Sequence, residues 1–199
     1  MARIRATNEL SRKELIMRSA ASLFRQKGFK AASMRGLAED VGVEASSLYN
    51  HIHSKSTILK EICFQVAGVF FTEMQKTESS ELTALQKTES LIRFHIRQMI
   101  ENFETVYVSD REWRHLQEPF LSQFRDQRSA YRKRFAQIIR DGINEGQITR
   151  IDAATAVLIM LHAIGGIEAW HRSMNKISAD ELEENMVSIL INGLQKKNL

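Results

Sequence analysis

The stretch that decides the fold is Ser33-Met-Arg-Gly-Leu-Ala-Glu-Asp-Val-Gly-Val-Glu-Ala-Ser-Ser-Leu-Tyr-Asn-His-Ile-His-Ser-Lys55. It predicts two short helices joined by a tight turn. Gly42 directly follows the first helix, where the chain needs a residue that tolerates a positive φ. The apolar residues of that first helix follow the i, i+3, i+4, i+7 spacing of one buried face: Met34, Leu37, Ala38 and Val41.

The second helix of the pair, residues 45–51, differs between its two sides. Leu48 and Ile52 are four residues apart and predict a buried side. The outward side is rich in hydrogen-bonding groups: Ser46, Ser47, Tyr49, Asn50 and His51. A short helix that is apolar underneath and polar on top is what a reader of the DNA major groove requires. The pattern therefore predicts a helix-turn-helix with residues 45–51 as its recognition helix.

The run Leu48-Tyr-Asn-His-Ile52, followed by Ser54-Lys55, resembles the signature of the TetR/AcrR family of transcriptional regulators. Ala38 and Gly42 also stand where helix-turn-helix proteins place a small residue and the turn glycine. The chain departs from the family's usual pattern at Ser33, where Thr is frequent, and at Glu44, where Ser is frequent. The resemblance implies a homodimer that binds an operator, and usually represses, until a small molecule enters its C-terminal region.

The predicted DNA contacts come from both lines of reasoning. The outward residues of 45–51 are candidates for base or phosphate contact, and Arg35 is expected to read a base edge. The resemblance implies that Tyr49, His51 and Lys55 mainly grip phosphates, and it allows the same role for Ser33 or Gly36. The full predicted set is Ser33, Arg35, Gly36, Ala45, Ser46, Ser47, Tyr49, Asn50, His51 and Lys55. A basic arm with Arg3 and Arg5 precedes it.

Charge is distributed unevenly along the 199 residues, with a net charge of +4. Residues 1–60 contain 11 basic and 5 acidic residues, whereas the rest of the chain contains 17 and 19. This basic excess around the helix-turn-helix is what phosphate binding requires, and a solvated basic surface has the same composition. The single cysteine, Cys63, allows no disulfide within the chain, and we expect it in the core of a cytoplasmic protein without a signal peptide.

The chain as a whole predicts an all-α protein of about nine helices in two domains. Residues 1–55 form the helix-turn-helix DNA-binding domain, and residues 56–199 form a helical domain for effector binding and dimerisation. A helix from near Ser54 to Thr77 crosses between them. Three capping boxes predict further helix starts, at Ser11, Ser109 and Ser178. We expect Gly165-Gly166, inside an apolar helix, to allow close packing of another helix, with a local bend beside a pocket as the alternative.

Two other classes of protein compete with a DNA-binding regulator. An enzyme is disfavoured because the sequence contains no Gly-rich phosphate loop and no nucleophile elbow, and no two histidines have the helical spacing of a metal site. No cofactor is therefore expected. A helical interaction protein that does not bind DNA is disfavoured by the polar outward side of residues 45–51.

Dimerisation is assigned to the eighth and ninth predicted helices, Ala153 to about Ser173 and the helix that opens at Ser178. The eighth is apolar nearly all round, which a surface helix cannot be. The alternative is that both helices belong to the core of the monomer. A two-fold dimer places its two recognition helices roughly 34 Å apart, one DNA turn, so the operator should be palindromic.

The effector is expected to be a small hydrophobic molecule. The candidate lining residues are Phe70, Phe71, Met74, Phe94, Met99, Phe103, Tyr107, Trp113, Met160 and Trp170. The segment around Trp170 is also similar to a TetR subgroup that responds to acyl-CoA thioesters, which implies phosphate contacts from Arg97, Arg111, Arg114 or Arg128. The alternative is a neutral or cationic drug-like lipophile, for which Glu101, Glu104 and Glu168 are the candidate carboxylates.

Overall fold

The computed structural model describes residues 12–44, 46, 48–49, 52–173 and 177–193. The predicted arm, the Ser11 cap and the contact residues Ala45, Ser47, Asn50 and His51 lie outside the described residues. Within them the chain forms nine α-helices and one 3-10 turn, with no strand, which confirms the all-α prediction.

Helices α1 (Arg12–Ala31) and α2 (Met34–Val41) form the N-terminal part of the fold. The regular part of α1 is interrupted at Gly28, whose φ of 76° lies in the left-handed region, as the sequence predicts for a helix end there. Gly42 closes α2 with a φ of 71°, and the amide of Val43 donates to the carbonyl of Ala38 at 2.9 Å. Both turns therefore follow from glycines visible in the sequence.

The central helix is α3 (Lys55–Glu78), capped by Ser54, whose Oγ accepts a hydrogen bond from the amide of Thr57 at 3.1 Å. Its first half, including Ile58 and Ile62, packs in one core with α1 and α2, and Met74 packs in a second core. One continuous helix thus joins two hydrophobic cores, as the sequence predicts.

The rest of the fold is a bundle around the second half of α3. Helices α4 (Ala84–Glu101), α6 (Phe120–Asn144), α7 (Ala153–Gly165) and α9 (Ala179–Asn192) form the second core. Helix α5 (Phe103–Arg111) and the 3-10 turn Trp113–His115 connect α4 to α6. Val108, Leu116 and Phe124 belong to the first core. The C-terminal half of the chain therefore supplies part of the packing beneath the N-terminal half.

Two sequence expectations about helix ends are wrong. Ser109 does not open a helix: it lies inside α5 with a buried side chain, and α5 begins after Asn102, where the preceding helix breaks. The apolar helix predicted from Ala153 to about Ser173 ends at Gly165, and the short α8 (Ile167–Arg172) follows. A Cβ added to Gly165 would meet nothing within 4 Å, so in this chain the glycine pair marks the bend and not close packing. The Ser178 cap is confirmed.

Candidate functional site

The N-terminus of α2 carries three of the predicted DNA contacts, Ser33, Arg35 and Gly36. Ser33 has an extended backbone, and its Oγ accepts a hydrogen bond from the amide of Gly36 at 3.0 Å. Its own hydroxyl hydrogen is then available for an anion at the helix N-terminus. Arg35 is exposed, and its ion pair among the described residues is with Glu39, four residues on, at 3.3 Å. A surface pair of this kind leaves the guanidinium free to reach another partner at little cost.

The recognition segment, residues 44–52, is described at part of its length. Leu48 is fully buried, its amide donates to the carbonyl of Glu44 at 3.1 Å, and its carbonyl accepts from Ile52 at 3.0 Å. Ser46 and Tyr49 are helical and exposed. At the described positions, the inward and outward sides of this segment are therefore those that the sequence predicts.

Lys55 lies against the turn that follows Gly28. Its Nζ donates to the backbone carbonyls of Phe29, Lys30 and Ala32 at 2.9, 3.0 and 2.9 Å, and it lies 4.8 Å from the centre of the Phe29 ring. An ammonium group has three hydrogens, so the turn after Gly28 uses all of them. In this arrangement Lys55 joins the end of α1 to the start of α3, and its contact with a DNA phosphate stays a prediction.

A cavity of about 820 Å³ lies between α3, α4, α5, the 3-10 turn, α6, α7 and α8. Five of the predicted lining residues are in its wall: Phe70, Phe71, Met99, Tyr107 and Trp113. The other five are not. Met74 and Met160 are buried in the second core. Phe94 packs against Phe70 outside the wall, Phe103 stacks on His171, and the indole of Trp170 donates to the carbonyl of Ile177. Gly165 and Gly166 also line the cavity, which makes the bend between α7 and α8 part of its wall.

The polar part of the cavity wall is dominated by positive charge. It contains five arginines and two carboxylates: Arg111, Arg114, Arg128, Arg132, Arg172, Asp110 and Glu168. Glu168 meets Arg111 and Arg172 at 3.1 Å each, and Arg128 meets Asp110 at 2.7 Å. Because the carboxylates are outnumbered, the wall suits an anionic group better than a cationic one.

Sequence reasoning identifies part of this arginine group. It predicts Arg111, Arg114 and Arg128 and misses Arg132 and Arg172. The spacing is a usable signal, because Arg132 follows Arg128 by four residues and so lies on the same face of α6. Arg97, the fourth candidate, instead pairs with Glu183 at 2.8 Å, outside the cavity.

The carboxylates proposed for a cationic effector are also placed elsewhere or neutralised. Glu104 meets Arg25 of α1 at 2.5 Å, and Glu101 does not line the cavity. Glu168 does line it, but two arginines share its charge. The described wall therefore presents no carboxylate free of an arginine partner.

The aromatic part of the cavity contains one polar pair, His95 and Tyr131. His95 Nε2 and the Tyr131 hydroxyl are 2.8 Å apart, and both side chains are buried. The His95 ring lies 4.8 Å from Phe70 and 6.3 Å from Phe135. Burial among these rings lowers the pKa of His95 to about 3, so its imidazole is uncharged at neutral pH. Burial likewise raises the pKa of the Tyr131 phenol. The pair is a neutral hydrogen-bonding group.

Residues 110–115 connect the cavity to the N-terminal region. Asp110, Arg111, Trp113 and Arg114 line the cavity. Between them, Glu112 Oε2 accepts a hydrogen bond from the amide of Phe29 at 3.2 Å. The ring of His115 stacks on that of Phe29 at 5.5 Å. Phe29 is also the residue whose carbonyl accepts from Lys55. The cavity-lining residues are therefore neighbours in the chain of Glu112 and His115, which contact Phe29 in the turn that holds the start of α3.

Other groups considered from the sequence have structural places. Cys63 is buried, and burial raises the pKa of its thiol to about 12, which makes it an inert core residue. Within the described ranges no group of three His, Cys, Asp or Glu side chains could hold a metal ion. The segment Ala153–Arg172 is long and apolar enough to cross a membrane by composition alone, a property shared by core helices of soluble proteins.

The chain matches two family descriptions, one in its N-terminal part and one in its C-terminal part. Residues 16–62 match "Bacterial regulatory proteins, tetR family", and residues 81–194 match "Tetracyclin repressor-like, C-terminal domain". The repressor KstR2 of Mycobacterium tuberculosis is 21% identical over 191 residues, which is 95% of this chain and 96% of KstR2.

Solved structures agree on the fold. The structure of KstR2 of Mycobacterium tuberculosis, a ketosteroid transcriptional regulator, gives a TM-score of 0.86 at 21% identity over 97% of this chain and 100% of that one. PfmR from Thermus thermophilus gives 0.77 at 23% identity over 91% and 99%. AibR in complex with isovaleryl coenzyme A and operator DNA gives 0.77 at 17% identity over 88% and 96%.

Members of this family are soluble regulators that typically lack enzymatic activity and bind DNA operators and small-molecule effectors as dimers. The matched segments contain α2 with the described part of the recognition segment, and a cavity whose wall is joined to Phe29 of α1 through Glu112. The chain therefore belongs to the TetR family of bacterial regulatory proteins and is a ligand-responsive, DNA-binding transcriptional regulator.

Proposed function

We propose that this regulator represses transcription from a palindromic operator in the cytoplasm and is released when a CoA thioester of a lipophilic acid enters the cavity. The observation that carries the effector class is the composition of the cavity wall, aromatic on one part and rich in arginine on another. An acyl chain fits the first part, and the phosphates of CoA fit the second, because guanidinium groups bind phosphate bidentately. The complex of AibR with isovaleryl coenzyme A is consistent with this class.

The proposed division of labour keeps residues 1–55 as the DNA-binding domain and residues 56–199 as the effector and dimerisation domain. DNA contacts are assigned to Ser33, Arg35, Gly36, Ala45, Ser46, Ser47, Tyr49, Asn50 and His51. Lys55 is reassigned as a positioning residue, because its three donors already bind the carbonyls that follow Gly28. Replacing Arg35 by alanine should lower operator affinity by about 1–3 kcal/mol and relax sequence preference.

The proposed dimer interface lies on α7 and α9. Leu158 and Ile159 of α7 are 51% and 59% exposed, and Ile189 of α9 is 74% exposed in the single chain. Large aliphatic side chains left open on two helices of the second core are typical of a surface that another molecule covers. An isologous pair of these faces buries them and sets two recognition segments about one DNA turn apart.

The dimer is tested by sedimentation. Replacing Ile189 by lysine should convert the protein from dimer to monomer at micromolar concentration, because a charge would be buried at the centre of the interface. Replacing Val69 of α3, which is 44% exposed outside this surface, is the matched control and should leave the dimer intact. A wild-type protein that sediments as a monomer overturns the proposal.

The effector is tested by gel shift on the native operator with acyl-CoAs of increasing chain length, free CoA and free fatty acids. Release by acyl-CoA, but not by CoA alone, supports the proposal. Arg132→Gln should weaken the response to thioesters, since Arg132 lines the cavity and makes no ion pair within the described part of the chain. Arg140→Gln is the control, on the same helix but bonded to Gln137 outside the cavity. Release by an unrelated drug-like lipophile, with no response to any thioester, rejects this effector class.

A further inference from the structure

We infer that the cavity recognises an effector with an uncharged oxygen, a hydroxyl or a carbonyl, on its lipophilic part, and that His95 and Tyr131 bind this oxygen. The inference rests on the proposed function, since it specifies the molecule that enters the same cavity. It concerns the aromatic part of the wall and not the arginines, so it adds a requirement that a plain acyl chain does not meet.

The first argument is the place of the pair. His95 on α4 and Tyr131 on α6 face each other at 2.8 Å, and both belong to the cavity wall. Their ring neighbours are aromatic: Phe70 and Phe135 contact His95, and Phe71 contacts Tyr131 at 5.7 Å. A polar pair that served only to join α4 to α6 has no need to line a cavity.

The second argument is the hydrogen-bonding capacity that the pair retains. If His95 Nε2 donates to the phenol oxygen, the phenol hydrogen is left to donate to a ligand. If the phenol donates to Nε2, the phenol oxygen keeps a lone pair that can accept from a ligand. A ligand carbonyl satisfies the first arrangement, and a ligand hydroxyl satisfies both.

The third argument is charge. Because the His95 imidazole is uncharged at neutral pH, the pair has no positive charge with which to attract a carboxylate or a phosphate. Those groups have the arginines. A hydrocarbon placed against the pair would cover its remaining hydrogen-bonding capacity without replacing the bond to water, which disfavours a plain chain. The cavity wall therefore favours a ligand with an anionic end and a neutral oxygen apart from it.

The test compares decanoyl-CoA with derivatives that have a hydroxyl or a carbonyl at successive positions in the outer half of the chain. The three corresponding kinds of free acid form a second series. Dissociation constants are measured by calorimetry for the wild type, Tyr131→Phe and Tyr107→Phe. Tyr107 also lines the cavity, so its loss of a phenol oxygen is the matched control.

In the wild type, at least one oxygenated derivative should bind about tenfold more tightly than decanoyl-CoA, as one hydrogen bond made in a buried site predicts. Tyr131→Phe should remove this difference while changing decanoyl-CoA affinity less than about twofold, and Tyr107→Phe should preserve it. Should Tyr131→Phe fail to fold, His95→Leu tests the same pair.

An equal loss for oxygenated and plain ligands in Tyr131→Phe would overturn the inference, as would an equal effect of Tyr107→Phe. The proposed function fails separately. The test of the proposed function compares thioesters with free acids and release with no release. The test of this inference compares oxygenated with plain members within either series.

Discussion

In the N-terminal region, Ser33, Ser54 and Lys55 fix the structure by bonding to backbone atoms, whereas in the C-terminal region α9 is joined to α4 by ion pairs between side chains far apart in the sequence. Ser33 and Ser54 each cap the helix that follows them, and Lys55 bonds three carbonyls of one turn. By contrast, Glu183 of α9 meets Arg93 and Arg97 of α4, about ninety residues earlier. The backbone contacts fix the turn after Gly28 and the starts of α2 and α3, whereas the ion pairs hold two helices of the second core together.

The largest expected effect on stability comes from the contacts of Lys55 with the turn after Gly28. Lys55→Met removes three hydrogen bonds to carbonyls from a charged donor and leaves those carbonyls without it. The free energy of unfolding should fall by about 3 kcal/mol, measured by urea denaturation. Arg35→Met, which loses only a surface pair with Glu39, should change it by less than about 0.5 kcal/mol. Equal stability of the two variants would show that Lys55 does not hold the turn.

The next largest effect on stability comes from the ion pairs of Glu183 with Arg93 and Arg97. Burial alone would raise the pKa of Glu183, but hydrogen bonds from Arg97 and Arg93 outweigh it and hold that pKa below its usual 4.5. Replacing Glu183 by glutamine should cost about 2 kcal/mol at pH 7, because two guanidinium groups lose their common partner beside α9.

The pH dependence of stability identifies the charge of Glu183 as the cause. A carboxyl with a lowered pKa in the folded chain stabilises it fully above the unfolded pKa, and this contribution disappears as the pH falls through the folded pKa. The difference in unfolding free energy between wild type and Glu183→Gln should therefore shrink from pH 7 towards acid below the usual pKa of 4.5. A difference that is constant with pH would assign the loss to packing instead.

Glycines in two helices differ in the space that surrounds them. A Cβ on Gly142 of α6 would lie 2.6 Å from a side-chain atom of Ile148 and 3.2 Å from the Cβ of Ala84, whereas one on Gly68 of α3 would meet nothing within 4 Å. Gly142→Ala should lower the melting temperature, at a cost of about 1–2 kcal/mol. Gly68→Ala should raise the melting temperature, with a gain in unfolding free energy of up to about 1 kcal/mol. Changes of the same sign in both variants would contradict the packing argument.

The same contrast explains how much could be predicted from sequence. Ser33, Gly42, Ser54 and Ser178 act on backbone within a few residues, so their roles follow from spacing alone. The failed capping box at Ser109 has the right local pattern, but the apolar neighbours Val106 and Val108 draw that segment into buried helix. Cavity residues depend on which helices meet, and no local rule separates Phe70, in the wall, from Phe94, beside it.

The smallest expected effect on stability concerns the contact that joins the two regions, the hydrogen bond from the amide of Phe29 to Glu112. Glu112→Ala should cost only about 1 kcal/mol of unfolding free energy, because one hydrogen bond is lost at a half-buried position. The effect of Glu112→Ala on the coupling between effector and operator binding should be larger in proportion.

Residues on either side of Glu112 line the cavity, and Phe29 shares the turn that Lys55 holds. We therefore expect this bond to transmit a shift of the wall to the start of α3. The ratio of operator affinities without and with decanoyl-CoA should therefore fall by about fivefold, equivalent to roughly 1 kcal/mol of coupling free energy. Glu118→Ala is the matched control, since Glu118 also accepts a backbone amide, from Ser122, but within its own segment. Hydrogen exchange adds a readout that needs no effector: the Phe29 amide should exchange faster in Glu112→Ala and unchanged in Glu118→Ala. Faster exchange at Phe29 with an undiminished affinity ratio would show that the contact is structural and that coupling passes along α3 alone.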